Sequence, residues 1–400
     1  MTYKQMPEIK FIDEVEIKDK QVILRVDFNV TLNPDFSIAD DVRIRQSLPT
    51  INYLLKNNNR LIIISHLGRP KGVDTKFSLK PVVEELKELL NPFDVMLINN
   101  FLNPVDKLSI KNQKSDTVLV LENIRFYQEE KNNDNIFARD LAGLGEIFVN
   151  DAFGVSHRND SSIVGIPKYI PSYGGLLLKK ETETIEKIIK NPEKPVVAIL
   201  GGAKISTKIN LVEKLIDISD YLLIGGALAN TFFCAKGLDI GKSYCEYNEV
   251  ENAKKLLFLA SKKHAAIILP SDVVARHPQH SESGGEVKKI KDIEPDDEIL
   301  DIGPETQAEI GSAIAKAKTI IWNGPMGYIE ERAFTRGTDF VYYSIAQNSE
   351  AVSLVGGGDT LAAISKKEYL DKITHISTGG GAMLEFIEKG TLPGIEALKR

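Results

Sequence analysis

Short apolar runs recur along the whole chain, and each is followed by polar residues or glycine. In the first 160 residues the runs are "VILRVDFNV" at 22, "LIIISHL" at 61, "TVLVLENI" at 117 and "EIFVNDAF" at 146. After residue 190 they are "VVAILGG" at 196, "YLLIGGA" at 221, "AAIILPSD" at 265, "TIIWNGP" at 319, "SLVGGGD" at 353 and "HISTGGG" at 375. Continuous apolar strands separated by amphipathic helices are typical of parallel sheets covered on both faces. The pattern therefore predicts an α/β protein with doubly wound parallel sheets.

The segment between the two series of runs predicts a connection between two domains. Prolines and glycines bound a helical pattern from about Leu176 to Lys190. Because 400 residues exceed what one hydrophobic core usually serves, we expect two Rossmann-like domains joined by a helix, with a cleft between them. The predicted division is 1–172 for the first domain, 173–190 for the helix and 191–384 for the second domain. The remaining segment, about 385–400, is short enough to pack on either domain, and we expect it on the first.

Composition and charge place the protein in a broad class. Apolar residues make up 42% and charged residues 26%, which is typical of a globular protein with an ample core. No apolar run approaches the roughly 18 residues of a membrane span, and the N-terminus lacks the apolar region of a signal peptide. We therefore expect a cytoplasmic protein with no membrane partner. The net charge of −6 argues against nucleic acid as a partner.

The two cysteines, Cys234 and Cys245, are too few for a disulfide framework and lack a metal-ligand spacing. We expect them to be buried or idle thiols.

Arginine and glycine are distributed unevenly along the chain. Eight of the 12 arginines precede residue 160, whereas 23 of the 29 glycines follow residue 170. Arginine offers a planar fork of donors to carboxylates and phosphates, and glycine lets a phosphate approach backbone amides closely. The first half is therefore predicted to bind anions with side chains, and the second half with main chain.

Several polar residues of the first half lie where predicted strands end. Because side chains alternate along a strand, Asp27 and Asn29 should share one face, where they could hold a hydroxyl group. Arg43 begins a predicted helix, and the other candidates follow later strands: His66, Gly68 and Arg69 in "SHLGRP", Arg125 in "ENIRF" and Arg158 in "SHRND". The alternatives are solvated surface arginines and, for His66, an imidazole that caps a turn.

The second half carries candidate phosphate and nucleoside contacts after its strands. Lys204 and Lys208 are one helical turn apart in "GGAKISTKI", a spacing that suits a polyphosphate. Gly225 and Gly226 in "LLIGGALANTF" could form a flat wall for adenine. Asn323 is followed by Glu330 and Glu331, which could accept bonds from ribose hydroxyls. Each motif taken alone is also compatible with an ordinary turn between a strand and a helix.

The stretch "SLVGGGDTLAAI" joins a strand to a helix through Gly356, Gly357 and Gly358. Backbone N–H groups at such a helix start bind anions, so a phosphate is the expected ligand. The dinucleotide-binding fingerprint is absent, because Leu361 stands where its sixth-position glycine would be. "GLDIGKS" is not a P-loop either, since its glycines, Gly237 and Gly241, are one residue too close.

The ordered set "RVDFN", "SHLGRP", "ENIRF", "VNDAFG", "GGAKISTKI", "WNGPMG", "GGGDT" and "STGGGA" resembles the phosphoglycerate kinase family over almost the whole chain. The resemblance implies reversible phosphoryl transfer between 1,3-bisphosphoglycerate and ADP, giving 3-phosphoglycerate and ATP, in glycolysis and gluconeogenesis. It implies Mg²⁺ with the nucleotide and small-molecule substrates. Because the two binding sites are predicted on separate domains, we expect the domains to move about a hinge, and we expect a monomer. The first domain would hold the glycerate and the second the nucleotide.

The resemblance also implies roles for individual residues. Those of phosphoglycerate binding are Asp27, Asn29, Arg43, His66, Gly68, Arg69, Arg125 and Arg158. Those of nucleotide binding are Lys204, Lys208, Gly225, Gly226, Asn323, Glu330, Gly357, Gly358, Asp359 and Thr360. Arg43, Lys204 and Gly358 would act on the transferring group, and Asp359 would bind Mg²⁺, with Thr360 beginning the helix.

Three departures from the family pattern leave the charged groups in place. Thr31 stands where the family often has proline, "SHRNDSS" replaces a more usual "AHRAHSS", and "GGALANTF" replaces "GGGMAFTF". The last change lies beside Gly225 and Gly226, the candidates for the adenine wall. Two rival functions are a nucleotide-dependent dehydrogenase, whose fingerprint is absent, and a two-domain protein that closes on an anion without chemistry. Proteins of the second kind are commonly exported.

Overall fold

The structure, a computed structural model, describes residues 9–263, 265–279, 284–364 and 367–399. The chain divides into two compact units. Unit 1 comprises the residues up to Glu183 together with those from Thr391 onward, and unit 2 runs from Thr184 to Gly390. The division falls inside a helix, Leu176–Lys190, whose bounds agree with the helical pattern of the sequence.

Unit 1 is built on a six-stranded sheet in which all neighbouring strands are parallel. Its strands are β1 Gln21–Arg25, β4 Arg60–Ile64, β5 Asp94–Ile98, β6 Thr117–Leu121, β7 Ile147–Asn150 and β8 Ser172–Gly174. A small antiparallel hairpin consists of β2 Thr31–Leu32 and β3 Ile38–Asp40. Across the sheet the order is β5-β6-β4-β1-β7-β8, so the chain builds on one side of β1 before it crosses to the other. Ligands of such sheets bind beyond the carboxyl ends of the strands at this reversal.

The connections of unit 1 are helices and short turns. The α-helices are α1 Val42–Lys56, α2 Lys80–Leu89, α3 Pro104–Lys111, α4 Gln128–Lys131, α5 Asn135–Ala142, the first part of α6 Leu176–Lys190, and α14 Pro393–Glu396. A 3₁₀ turn, Ile124–Phe126, follows β6, and a π-helical turn covers Ser161–Gly165. The final segment packs on this unit, because the Gly394 N–H donates to the carbonyl of Ser156 at 2.8 Å.

Unit 2 also contains a six-stranded, fully parallel sheet. Its strands are β9 Val196–Leu200, β10 Tyr221–Ile224, β11 Ala266–Ile268, β15 Thr319–Asn323, β16 Val352–Gly356 and β17 His375–Ser377. The order is β11-β10-β9-β15-β16-β17, so here the reversal lies at β9. A separate antiparallel sheet, β13-β12-β14, is formed by β12 Asp272–Arg276, β13 Glu286–Lys289 and β14 Glu298–Ile302.

The helices of unit 2 cover its parallel sheet. They are the end of α6, α7 Ile209–Ile218, α8 Ala227–Ala235, α9 Val250–Lys263, α10 Pro304–Lys316, α11 Arg336–Gln347, α12 Gly358–Ala363 and α13 Gly380–Lys389. Strands β9 and β15 are buried along their whole length. The buried Trp322 lies in this core and donates its indole N–H to the carbonyl of Gly324 at 2.9 Å.

The predicted α/β class with two parallel sheets is confirmed, and all ten predicted apolar runs form strands of these sheets. The sequence pattern missed β5, an edge strand with alternating exposure, and the short β8. It also missed the antiparallel sheet, because the exposed side chains of β13 leave no continuous apolar run. Among the described residues, no helix combines the length and apolarity that crossing a bilayer requires.

Candidate functional site

The polar residues of unit 1 converge at the carboxyl edge of its sheet. Asp27 and Asn29 follow β1, His66 follows β4, and Arg125 lies in the turn after β6. The prediction that Asp27 and Asn29 alternate along a strand is wrong, because β1 ends at Arg25. They still lie together, since the Asn29 N–H donates to Asp27 Oδ1 at 3.2 Å. Parallel strands bring their carboxyl ends to one edge, which explains why distant segments supply one site.

His66 is buried between an arginine and a carboxylate. Its Nδ1 lies 3.3 Å from Arg25 Nη2, and its Nε2 lies 3.7 Å from Asp27 Oδ1. Burial, followed by the charge of Arg25, lowers the pKa of His66 well below its usual value, so the ring is neutral at pH 7. Because a guanidinium can only donate, Nδ1 must accept and the proton belongs on Nε2. His66 therefore acts as a neutral hydrogen-bond donor, and its contact with Asp27 is not an ion pair.

Arg25 is a member of the site that the sequence analysis missed. It is fully buried, with Nε donating to Ser162 Oγ at 2.8 Å and Nη1 donating to the carbonyl of Val26. Burial lowers the pKa of Arg25, and burial raises the pKa of the neighbouring Glu130 to about 7 against the charge of Arg25. The signal in the sequence was a charged residue in the middle of the apolar run "VILRVDFNV", whereas the analysis considered only Asp27 and Asn29 farther along that run.

Arg125 and Arg158 carry buried donors that the protein leaves unsatisfied. Arg125 Nη1 donates to the carbonyl of Gly68 at 2.7 Å. Among the described residues, no acceptor meets Arg125 Nε, Arg125 Nη2 or Arg158 Nε. Burial, then the charges of Arg158 and Arg25, lower the pKa of Arg125 to about 10, which leaves it cationic at pH 7. Buried cationic donors without acceptors are costly, and an incoming anion would satisfy them.

Arg43 is held in the first turn of α1 beside the same residues. Its Nη1 donates to the carbonyl of Asn29 at 2.6 Å and lies 3.7 Å from Asp27 Oδ1. Its side chain is 30% exposed, so it reaches the surface of the site rather than its buried part. Arg69 is exposed, one residue after Gly68.

Gly68 has to be glycine. Its φ is +62°, and a Cβ would lie 2.3 Å from the ring of Phe77. In the observed turn its N–H donates to Asn29 Oδ1 at 2.7 Å. The turn thus joins the segment after β4 to the segment after β1.

In unit 2 the two lysines lie on a loop rather than on one face of a helix. The segment Gly201–Lys208, here called the lysine loop, precedes α7, which begins at Ile209. The helical spacing predicted for Lys204 and Lys208 is therefore wrong. Lys208 Nζ donates to the carbonyl of Gly201 at 2.8 Å and to Asn323 Oδ1 at 3.2 Å, whereas Lys204 is exposed. Lys208 thus joins the ends of β9 and β15, and Lys204 is the more accessible cation.

A groove of about 550 Å³ opens beside the lysine loop. The residues that line it include Gly202, Lys204, Gly226, Tyr244, Arg276, Glu298, Leu300, Tyr328 and Glu330. This volume lies within the range of small-ligand sites. The lining combines apolar walls with a few charged groups, which suits a nucleoside better than a simple ion.

Strand ends of unit 2 meet closely next to Gly226, which lines the groove. Gly225 and Gly226 follow β10, and Gly226 has a φ of +63°. A Cβ on Gly226 would lie 2.7 Å from the carbonyl oxygen of Gly202, so only glycine fits. Asn323, at the end of β15, donates its amide to the carbonyl of Gly356 at 2.6 Å. Its role in the structure is therefore to join two strand ends.

The wall of the groove contains an ion network that the sequence analysis did not identify. Arg276 donates to Glu298 and to Glu331, each at 2.8 Å, and its guanidinium lies 5.8 Å from the centroid of the Phe334 ring. Glu331 is thus engaged with Arg276, which leaves the exposed Glu330 as the candidate hydroxyl acceptor. These residues lie far apart in the sequence, so spacing alone could not reveal the network.

The glycine turn after β16 leads into α12. Gly357 has a φ of +118°, and the helix begins at Gly358, so the prediction that Thr360 begins the helix is wrong. The Thr360 hydroxyl is buried, accepts from the Gly324 N–H at 2.8 Å and donates to the carbonyl of Gly356 at 3.1 Å. Gly358 is exposed, and a Cβ added to it would meet no atom within 4 Å. The Asp359 side chain lies outside the described part of the structure.

Comparisons with known proteins point to one family. A profile of the family described as "Phosphoglycerate kinase" matches residues 12–390. A "Phosphoglycerate kinase" of Dictyoglomus turgidum is 45% identical over 384 residues, covering 96% of each chain. "Phosphoglycerate kinase 3, cytosolic" of Arabidopsis thaliana is 44% identical over 391 residues, covering 97% of each. The solved structure of phosphoglycerate kinase from Coxiella burnetii is 36% identical with a TM-score of 0.83, covering 98% of each chain.

The unsatisfied donors of Arg125 predict opposite effects on stability and on anion binding. We expect Arg125→Met to raise the thermal midpoint of the ligand-free protein, because it removes a buried charge among like charges. The same variant should lose the further rise that phosphate causes in the parent. That rise corresponds to about 2.7 kcal/mol at a phosphate concentration of 100 times Kd. Calorimetry with phosphate, against chloride at equal ionic strength, measures both effects.

The matched control is Arg139→Met, since Arg139 is an exposed arginine of the same unit. It should keep the phosphate effect unchanged. An equal phosphate-induced rise in Arg125→Met and the parent would show that the anion binds elsewhere.

Proposed function

The chain belongs to the phosphoglycerate kinase family, and from this premise we propose that its two substrates bind at the two carboxyl edges described above. The enzyme is a kinase that transfers a phosphoryl group between 1,3-bisphosphoglycerate and ADP, giving 3-phosphoglycerate and ATP. The reaction belongs to glycolysis and runs in reverse in gluconeogenesis. What we propose is which residues perform it in this chain.

Phosphoglycerate, in this proposal, binds the polar edge of unit 1. The observation that carries the assignment is the set of buried, unsatisfied guanidinium donors on Arg125 and Arg158. A phosphate accepts several such bonds at once and removes the repulsion between the two cations. His66 would add a neutral N–H donor, and Asp27 and Asn29 would bind a hydroxyl group. Arg69 and Gly68 would complete the site from the loop after β4.

The nucleotide, in this proposal, occupies the groove of unit 2. Gly225 and Gly226 would lie against the base, and Glu330 would accept from the ribose hydroxyls. Lys204, with the backbone amides of Gly357, Gly358, Asp359 and Thr360, would bind the phosphates. Lys208, Asn323 and the Thr360 hydroxyl would act mainly through the backbone that they brace, since their polar atoms bond to neighbouring strand ends.

Three groups would act on the transferring phosphoryl itself. Arg43 from unit 1, with Lys204 and the Gly358 N–H from unit 2, would stabilise the charge on its equatorial oxygens. Arg43 suits this role because the carbonyl of Asn29 holds its Nη1 while the side chain stays partly exposed. A guanidinium held in this way needs little reorganisation when the substrate arrives.

Mg²⁺ would enter with the nucleotide and neutralise charge on its phosphates. The donor chemistry fits, because one carboxylate, that of Asp359, together with phosphate oxygens is a typical magnesium ligand set. A different acidic cluster, His277, Glu294 and Asp297, is less suitable because Lys288 Nζ bonds Asp297 at 2.8 Å and Glu294 at 2.7 Å. We therefore assign the metal to Asp359.

We also propose a cytoplasmic monomer without a nucleic-acid partner. The support is the net charge of −6 and the cytosolic relative from Arabidopsis thaliana.

Replacement of Arg43 tests its part in the chemistry. Arg43→Ala should lower kcat roughly 10³-fold or more, as expected for an arginine that stabilises phosphoryl transfer. Arg43→Lys should retain substrate binding yet lose turnover, because an ammonium cannot reproduce the planar fork. Steady-state kinetics with 3-phosphoglycerate and MgATP measure both. Arg45→Ala is the control, since Arg45 lies in the same helix but bonds Asp41 at 2.6 Å. Near-normal turnover of Arg43→Ala would remove this residue from catalysis.

Asp359→Asn tests the magnesium assignment. The change keeps the size of the side chain but removes the charge that a hard cation prefers. Nucleotide binding should therefore lose most of its dependence on magnesium, as measured by titration calorimetry with and without the metal. The same magnesium effect in variant and parent would place the metal on other ligands.

Because the proposal places one substrate on each unit, the two units must move together before the substrates can react. The reacting atoms must come to about 3 to 3.5 Å in a site that excludes water. We propose that the segment after Pro171 acts as a hinge and that both substrates together are needed for full closure. Small-angle scattering should show the largest fall in radius of gyration in the ternary complex. Equal compaction with phosphoglycerate alone would contradict this proposal.

A further inference from the structure

The two cysteines of the chain lie side by side. Cys234 Sγ and Cys245 Sγ are 3.3 Å apart, although ten residues separate them in the sequence. Both are partly exposed, so neither is a fully buried thiol, which was one of the two alternatives expected from the sequence. The chain contains no other cysteine, and chance rarely brings the only two thiols of 400 residues into contact.

Hydrogen bonds on both sides of Cys245 hold it against α8. The preceding carbonyl, of Tyr244, accepts from Asn230 Nδ2 at 3.0 Å. The following N–H, of Glu246, donates to Thr231 Oγ1 at 3.2 Å. Asn230 and Thr231 lie one turn before Cys234 in the same helix. The pair is therefore positioned by the fold, not by flexible side chains alone.

We propose that Cys234 and Cys245 form a reactive dithiol that low-molecular-weight disulfides oxidise to an intramolecular disulfide. A disulfide needs its sulfurs about 2.05 Å apart. Because the two sulfur atoms are 3.3 Å apart, they must approach each other by only about 1.2 Å to form this bond. Disulfides in cytosolic proteins are usually transient or redox-sensing, so the bond would report the redox state rather than support the fold.

The reaction proceeds by two exchanges. The thiolate of Cys245 attacks one sulfur of the small disulfide, forms a mixed disulfide and releases one small thiolate. The thiolate of Cys234, after giving its proton to solvent, then attacks the Cys245 sulfur and releases the second small thiolate. The protein loses two hydrogen atoms in total, and the small disulfide is reduced to two thiols.

The environment of the pair sets the order of these steps. Burial, followed by the hydrogen bond from Cys245, raises the pKa of Cys234 to about 12. Because the thiolate is the nucleophile, Cys234 is slow to attack first. Once Cys245 has become a mixed disulfide, its contribution to that raised pKa is lost, and Cys234 has an electrophilic sulfur beside it.

The dithiol belongs to the segment that also serves the groove. Tyr244 lines the groove, and Glu246 accepts from Ser206 Oγ of the lysine loop at 2.6 Å. Cys245 lies between Tyr244 and Glu246. A disulfide to Cys234 would therefore cross-link this segment to α8. The inference itself concerns only the thiols and does not depend on the nucleotide assignment.

The test treats the full-length enzyme with excess glutathione disulfide and follows it by intact mass and thiol titration. We expect both thiols to disappear and the chain to become lighter by two hydrogen atoms, without retained glutathione. Cys234→Ser should stop at one mixed disulfide on Cys245. Cys245→Ser should react more slowly than Cys234→Ser. Glutathione retained on the parent, or dimers linked by disulfides, would overturn the proposal, as would faster reaction of Cys245→Ser.

A stability measurement provides a second readout that needs no variant. The closed loop should raise the thermal midpoint of the oxidised protein above that of the reduced protein, because it restricts the unfolded chain. The rise should be reversed by dithiothreitol. A lower midpoint on oxidation would mean that the native geometry must distort to form the bond, which would overturn the claim that the fold positions the pair.

Discussion

The cost of burying like charges is the constraint on which unit 1 depends. Arg25, Arg125 and His66 lie at the carboxyl edge of one sheet, each at most 5% exposed. Glu130 compensates Arg25 only partly, since burial raises the pKa of that carboxyl to about 7. The protein keeps His66 neutral and leaves donors on Arg125 unsatisfied. Under the proposed function, this arrangement lowers the stability of the protein without substrate, and the bound anion offsets that cost.

Unit 2 has glycine turns at its strand ends, in contrast to the buried arginines of unit 1. Its strand ends approach so closely that side chains are excluded: a Cβ on Gly201 would lie 2.0 Å from the carbonyl oxygen of Pro325. The Thr360 hydroxyl and the Asn323 amide bond to neighbouring backbone and fix these turns. Close approach of backbone at these turns, rather than buried arginine side chains, therefore distinguishes this edge from that of unit 1.

This contrast explains why arginine concentrates early in the chain and glycine late. Under the proposed function, forked side chains enclose the compact anion in unit 1, whereas the longer nucleotide lies along the backbone turns of unit 2. On one wall of the groove, Arg276 joins two different segments through its bonds to Glu298 and Glu331. The two sheets differ in strand order, but both are parallel, and in each the candidate residues follow the carboxyl ends of strands.

The sequence alone determined the strands and many of the binding candidates. Apolar runs reveal buried strands, and polar residues after them reveal a sheet edge, because both properties are local and periodic. Turn conformation and spatial neighbours are not local. The lysine loop has a helical spacing yet precedes the helix, Arg25 is buried at the end of β1, and the Arg276 network and the cysteine pair unite distant segments. Only tertiary structure decided these, because burial and pairing of a charge or thiol depend on which segments the fold brings together.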